Sequence, residues 1–458
     1  MDLRQLYGLM LLWAVANVAA HGQTFNISDY GAVADGTTYS TAAIQAALND
    51  CRDRGGGTVL IPTGTYLTGS IQVYSHTRLQ LAAGATLLGS KGLENYDEEH
   101  PHLIWGDSIE RFRLTGDGVI DGQGESFFDR SGKSWKAEEG KRPRPWIRLS
   151  NSRDIKVENI ALINSPAHVL VFSKCEDVVV SGVTIRNDLR SPNTDGIDIK
   201  GCCRVLISDC NISTGDDAIC LKSAQDTVDQ VVVSDCILIS DDAAIKFGTG
   251  SRYPIRNCQF SNINISGTRY GVAFFMTQGG VYEHFQFSNI LIETGSRHKT
   301  EYPIYMDIDK RSAEYDLGMI RDIDFSNVKI ITRGNILIGG QVGHPVSGIR
   351  FDGVTVVLTE LTDLTAVSKK PRGNKSFSTL PGMADFSAVP AHFTLGHVED
   401  VKLEDIRISH HFGESPYQRH FFHFQEAEAV QLSGLQLPPA MAGRKKVNQV
   451  GKVSLTIQ

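Results

Sequence analysis

Residues 205–212 read VLISDCNI and residues 231–238 read VVVSDCIL, one pattern repeated at an interval of 26. Apolar residues alternate with others, a polar pair follows, and a second short alternation closes the unit. The pattern also begins at Ile155, Val178, Cys258, Phe285, Ile323, Ile349, Val401 and Val430. Its sixth position falls on Ile160, Val183, Cys210, Cys236, Ile263, Ile290, Val328, Val354, Ile406 and Leu435, with steps of 23, 27, 26, 27, 27, 38, 26, 52 and 29. The step of 52 reads as two coils of 26, and the step of 38 as one coil with an insertion.

Alternation with a period of two marks strands, and Asn, Asp or Gly between two alternations marks a tight bend. A fixed period in this range marks a solenoid. One coil cannot bury its own inward residues, but stacked coils pair their backbones along the axis and align Val, Ile, Leu and Cys into interior ladders. The expected fold is therefore all-β, a single-stranded parallel β-helix. A leucine-rich repeat would show a Leu/Asn signature that is missing here, and a propeller would need four strands per longer period.

The flanks of the repeat differ. Residues 40–50 (STAAIQAALND) have Ala and Leu spaced by three and four, which predicts an N-terminal capping helix that blunts the exposed edge of the first coil. Polar, broken sequence at about 367–390 predicts an insertion loop on one coil, and the basic tail after Leu437 is either a closing strand or unstructured. Arg4, the apolar run Leu6–Ala16 and the small residues Val18 and Ala20 read as a signal peptide over residues 1–20. The domain plan is thus a leader followed by one β-helix domain over 21–458, secreted or periplasmic. No other segment is apolar enough to span a membrane.

Composition restricts the partners. The net charge is −7 with signs interspersed, which lacks the basic face of a nucleic-acid binder. The eight cysteines include no C-x-x-C pair, which argues against zinc. Cys210 and Cys236 occupy apolar positions of the repeat, so stacked free thiols are expected there. A monomer is expected.

Two motifs stand on successive coils: SPNTDGI from Ser191 and TGDDAI from Thr214. Asp195 and Asp217 are 22 residues apart, close to one coil. Stacked strands lie about 4.8 Å apart, so Asp195, Asp216 and Asp217 converge on one face. Like charges that close cannot all ionise, and at least one should keep its proton near neutral pH. A protonated acid beside ionised carboxylates suits glycoside hydrolysis. Aspartates that only bond backbone groups at bends, or that hold calcium, are the competing readings.

SPNTDGI and GDDAI resemble the signatures of glycoside hydrolase family 28, the polygalacturonase-like enzymes. FNISDYGAVADGTT from Phe25, GGGTVLIPTGTY from Gly55, GDGVIDGQG from Gly116 and RPWIRLSNSRDIKVENI from Arg144 extend the resemblance over roughly 25–325. It implies a right-handed, pectin-lyase-like β-helix and inverting hydrolysis of pectic or related polysaccharide without metal or other cofactor. It also implies Asp216 as general acid, with Asp195 and Asp217 sharing the base role. Asn193, within the first motif, is assigned to substrate.

Two departures bear on substrate. Where the family carries His-Gly, this chain has Ala243-Ala244, and where it carries Arg-Ile-Lys, this chain has Ala273-Phe274-Phe275. Loss of both cations removes charge-assisted bonds to a uronate. Phe275 suggests stacking on a less charged sugar. By strand parity Lys222 and Lys246 point outward toward the cleft, and they, with Arg269, are candidates to compensate. Trp135 and Trp146 read as packing residues. A calcium-dependent β-helix lyase and a non-catalytic carbohydrate-binding solenoid are the alternative functions.

Overall fold

The computed structural model describes residues 22–133, 135–138, 140–297, 300–364, 389–413, 415–440 and 443–458. The signal-peptide expectation and most of the expected insertion loop lie outside them. Strands stack in parallel along one axis as a right-handed β-helix. Each register pairs a coil with the next, as in Val178↔Val205, Val205↔Val231, Val231↔Cys258 and Cys258↔Phe285.

The bends explain the repeat. Its fifth position is Asn159, Gly182, Asp209, Asp235, Asn262, Asn289, Asn327, Gly353, Asp405 and Gly434, and all ten have φ between 51° and 65°. Gly, Asn and Asp tolerate this left-handed region best. The amides also stack: Asn262 donates to Asp235 at 3.1 Å, Asn289 to Asn262 at 3.2 Å and Asn327 to Asn289 at 2.7 Å. Inside, Phe260, Phe287, Phe325 and Phe351 form a ladder with ring centroids 5.0, 4.7 and 4.9 Å apart. Aromatic pairs at such spacing add to the area they bury.

The helix Thr41–Asp53 caps the first coils by burying Ala43, Ile44, Ala47, Leu48 and Cys51. At the other end the strand Val447–Ile457 pairs with His420–Ser433, so the basic tail closes the stack. All eight cysteines are free thiols, with Cys210 and Cys236 buried in the core. No helix among the described residues is long and apolar enough to cross a membrane.

The step of 52 is corrected. Ile349 pairs directly with Val401, so this interval is one coil enlarged by an insertion and not two coils. The step of 38 is one coil, as Phe285↔Ile323 shows. Its extra residues fall in the turns on either side of strand Tyr302–Ile308.

Candidate active site

One column of strands carries the site: Ile147–Ser150, Leu170–Ser173, Ile197–Lys200, Ile219–Lys222, Ala243–Phe247 and Tyr270–Met276. Inward positions stack Leu170, Ile197, Ile219, Ile245 and Val272. The outward positions between them stack Arg148, Val171, Asp198, Cys220, Lys246 and Ala273. Asp195 and Asp217 precede Ile197 and Ile219 by two residues on neighbouring coils, and Gly196 N donates to Asp217 O at 2.8 Å. Gly196 is required at this approach, because a Cβ there would lie 2.5 Å from Ala218 O.

The three predicted aspartates meet. Oxygens of Asp195 and Asp217 lie within 4.8 Å, as do those of Asp216 and Asp217. Asp195 and Asp217 are buried and Asp216 is half-buried. Asp216 Oδ1 accepts from Asp217 N at 3.0 Å, and Oδ2 accepts from Asn193 Nδ2 at 3.3 Å. Arg142 fixes Asn193 by donating to its Oδ1 at 2.8 Å. Thr214 and Ser240 hydroxyls both donate to Asp216 O at 2.7 Å, which pins the turn that presents the pair.

The predicted lysines arrive as parity required. Lys222 donates to Asp195 Oδ2 and Asp198 Oδ1, each at 3.0 Å, and Lys246 donates to Asp217 Oδ2 at 2.7 Å. Arg269 is one partner removed: it lies 3.4 Å from Asp242, which in turn neighbours Asp216 and Asp217 within 4.8 Å. The open stacking face expected of Phe275 is corrected. Its ring is 4% exposed and engaged by Tyr270, Tyr305 and Lys246, so it forms a wall behind Lys246. Ala243 and Ala273 are fully buried beside that wall, and Trp135 and Trp146 are buried packing residues.

Sequence reasoning missed His168 and Asp198. His168 Nε2 lies 3.6 Å from Asp195 Oδ1, and its Nδ1 lies 3.2 Å from Asp198 Oδ2. Asp198 is fully buried and also meets Lys200 at 2.9 Å. Asp198 could have been found by the same parity argument that located Lys222. His168 lies in no quoted motif.

These contacts separate the carboxyls electrostatically. Burial works to raise Asp195, but His168 and Lys222 outweigh it and hold this carboxyl below its ordinary range. Asp198 is likewise held well below, as Lys200, Lys222 and His168 overcome burial. Asp216 is pushed well above its ordinary range by burial and then by Asp195 and Asp217. Asp217 rises to about 7, with burial raising it, Lys246 opposing and Asp195 adding. The site therefore sets Asp216, a carboxyl that holds its proton more tightly than usual, against Asp195, one that gives it up more readily. Asp195 Oδ1 and Asp217 Oδ1 are buried and accept no hydrogen bond from the protein. Those free lone pairs suit a water molecule.

The chain is similar to known proteins in sequence and in fold. The family model described as glycosyl hydrolases family 28 matches residues 51–372. A probable polygalacturonase of Vitis vinifera is 33% identical over 46% of this chain and 46% of its own length. The chain thus spans about half of that relative. A polygalacturonase of Chamaecyparis obtusa is 26% identical over 78% of this chain and 71% of its own. Among solved structures, the family 28 exopolygalacturonase of Yersinia enterocolitica superposes with a TM-score of 0.69 at 20% identity, covering 90% of this chain and 78% of that one.

Proposed function

The chain belongs to the glycosyl hydrolases of family 28 and is a glycosidase, and from that premise we propose that it hydrolyses pectic polysaccharide or oligosaccharide with inversion at the anomeric carbon. Asp216 gives its proton to the glycosidic oxygen as the C–O bond breaks. Asp195, with Asp217, takes a proton from the water whose oxygen bonds the anomeric carbon. Asn193 orients Asp216, while Lys222 and Lys246 keep the base side charged. The single observation that carries this reading is the opposed tuning of Asp216 and Asp195 inside one cluster.

Secretion is proposed from the leader-like N-terminus. It fits a substrate too large to enter a cell, and the matching proteins are named as polygalacturonases.

Incubation with a panel of pectic oligosaccharides, with and without chelator, tests the activity. New reducing ends without ultraviolet absorbance, indifferent to chelator and lost in Asp216→Asn, are expected. Absorbance that needs calcium indicates lyase chemistry, and binding without cleavage indicates a carbohydrate-binding solenoid.

A further inference from the structure

The rungs of the active-site column continue past the three aspartates. Ile219 pairs with Ile245, and Ile245 pairs with Val272. Three residues before each of these stand Asp216, Asp242 and Arg269. Asp242 is therefore the rung after the acid, and Arg269 is the rung after that. Asp242 lies outside both sequence motifs. Oxygens of Asp216, Asp217 and Asp242, one from each, lie within 4.8 Å of one another. A ligand belongs inside this cluster on separate grounds: Asp217 is 1% exposed, and its Oδ1 is buried without a donor.

The fold fixes the fourth carboxylate in place. Asp242 N donates to Ser240 Oγ at 3.1 Å, and the same hydroxyl donates to Asp216 O at 2.7 Å, so one side chain ties the two turns together. Asp242 O accepts from Tyr270 N at 2.8 Å, Thr268 Oγ1 at 3.0 Å and Arg269 N at 3.1 Å. The Asp242 side chain is half-buried and meets one guanidinium nitrogen of Arg269 at 3.4 Å. That contact is long and single. Arg269 lies over the Tyr270 ring, 4.8 Å from its centroid. By rung order the carboxylate is nearer the acid than its counter-ion is. Asp241, beside it in the chain, is engaged by Arg297 at 2.7 Å. The other charges facing Asp216 are Asp195, Asp217, Lys246 and Arg142.

We infer that Asp242 is a positioning residue of the catalytic cluster, acting on Asp216 and Asp217 through its charge. Like charges one strand spacing apart oppose each other's ionisation. Burial and then Asp195 and Asp217 raise Asp216, and Asp242 adds to them. Burial raises Asp217 against Lys246, with Asp195 and then Asp242 adding to the rise. Asp242 thereby helps the acid keep its proton until the glycosidic oxygen takes it. The same field delays ionisation of Asp217, so Asp242 moves the working range of the whole cluster toward higher pH. This inference rests on the glycosidase reading above, which makes Asp216 the proton donor.

The test is the kcat/KM profile on pectic oligosaccharide for Asp242→Asn and Asp242→Ser, which remove the charge, and for Asp242→Glu, which keeps it. Both limbs should move to lower pH by about half a unit in the two neutral variants and stay with the parent's in Asp242→Glu. A fall in rate at every pH with unmoved limbs, limbs that move upward or apart, or the same shift in Asp242→Glu overturns the inference. A second readout needs no turnover. Asp216→Asn removes the raised carboxyl, and the gain in melting temperature this brings at pH 8 should shrink by about half when Asp242→Asn is already present, because that carboxyl is then raised less. An unchanged gain in that background overturns the inference. If the parent cleaves nothing on the pectic panel, the hydrolase reading fails, and the melting comparison alone decides the charge coupling.

Discussion

Lys246 reaches across one coil to place its ammonium 2.7 Å from Asp217 Oδ2. Lys246 lowers the carboxyl that burial and Asp195 raise, and the balance leaves Asp217 at about 7.

Removing that ammonium should move Asp217 upward. In Lys246→Met the acidic limb of the kcat/KM profile should shift to higher pH, because Asp217 must be ionised to help activate water. A loss of about 10²-fold on that limb is expected. A uniform fall at every pH, with the limb unmoved, contradicts this role for Lys246.

His168 should act on Asp195 in the same way from the opposite side. His168→Gln removes the imidazole that holds Asp195 low. The expected result is a kcat reduced about 10–100-fold with KM within about twofold, and an acidic limb moved upward. A change confined to KM would make His168 a binding residue.

The product's anomeric configuration provides an independent check. Oxygens of Asp216 and Asp217 approach within 4.8 Å, closer than the roughly 6.5–9.5 Å between carboxyl groups usual for inverting enzymes. Proton NMR of the first product formed should nonetheless show inversion, because Asp195 Oδ1 and Asp217 Oδ1 accept no hydrogen bond from the protein and suit an attacking water. Retention would instead mean a glycosyl-aspartate intermediate.

Asp216 should also limit stability. Its folded pKa is raised, so its ionisation opposes folding as pH climbs above the ordinary carboxyl value. Asp216→Asn should melt about 2–4 °C above the parent at pH 8, and this advantage should vanish at pH ~3, where the parent carboxyl is largely protonated folded or unfolded. A constant difference across that range would remove the assigned burial and repulsion as its cause.

The repeat makes most of the fold legible in the sequence. Each fifth position is Asn, Asp or Gly because its backbone is left-handed, and the alternating Val, Ile and Phe name the interior. A second left-handed bend stands just before each unit, at Arg204, Gln230, His284 and Ala429 among others. These four residue types carry no turn signal, whereas Asp154, Asp177, Asn257, Asp322, Gly348 and Asp400 at the equivalent positions do, so that corner is only partly legible. In the site, motif spacing located the three aspartates, and parity located Lys222 and Lys246. Phe275 was misread because its cover comes from Tyr270 and Tyr305, which no local pattern connects to it. The double-length step was misread because an insertion the size of a coil mimics one in the sequence.

The backbone bond from Gly196 N to Asp217 O has a consequence for how such a catalyst can change. The gap between Asp195 and Asp217 is a lattice constant of the sheet, shared by every neighbouring pair of strands. No hinge crosses it, and no single substitution can stretch it without breaking the ladder. New specificities must therefore arise at the corners, where lengthening a turn, as on either side of strand Tyr302–Ile308, changes the surroundings of the cleft while the bond-breaking machinery stays where it is.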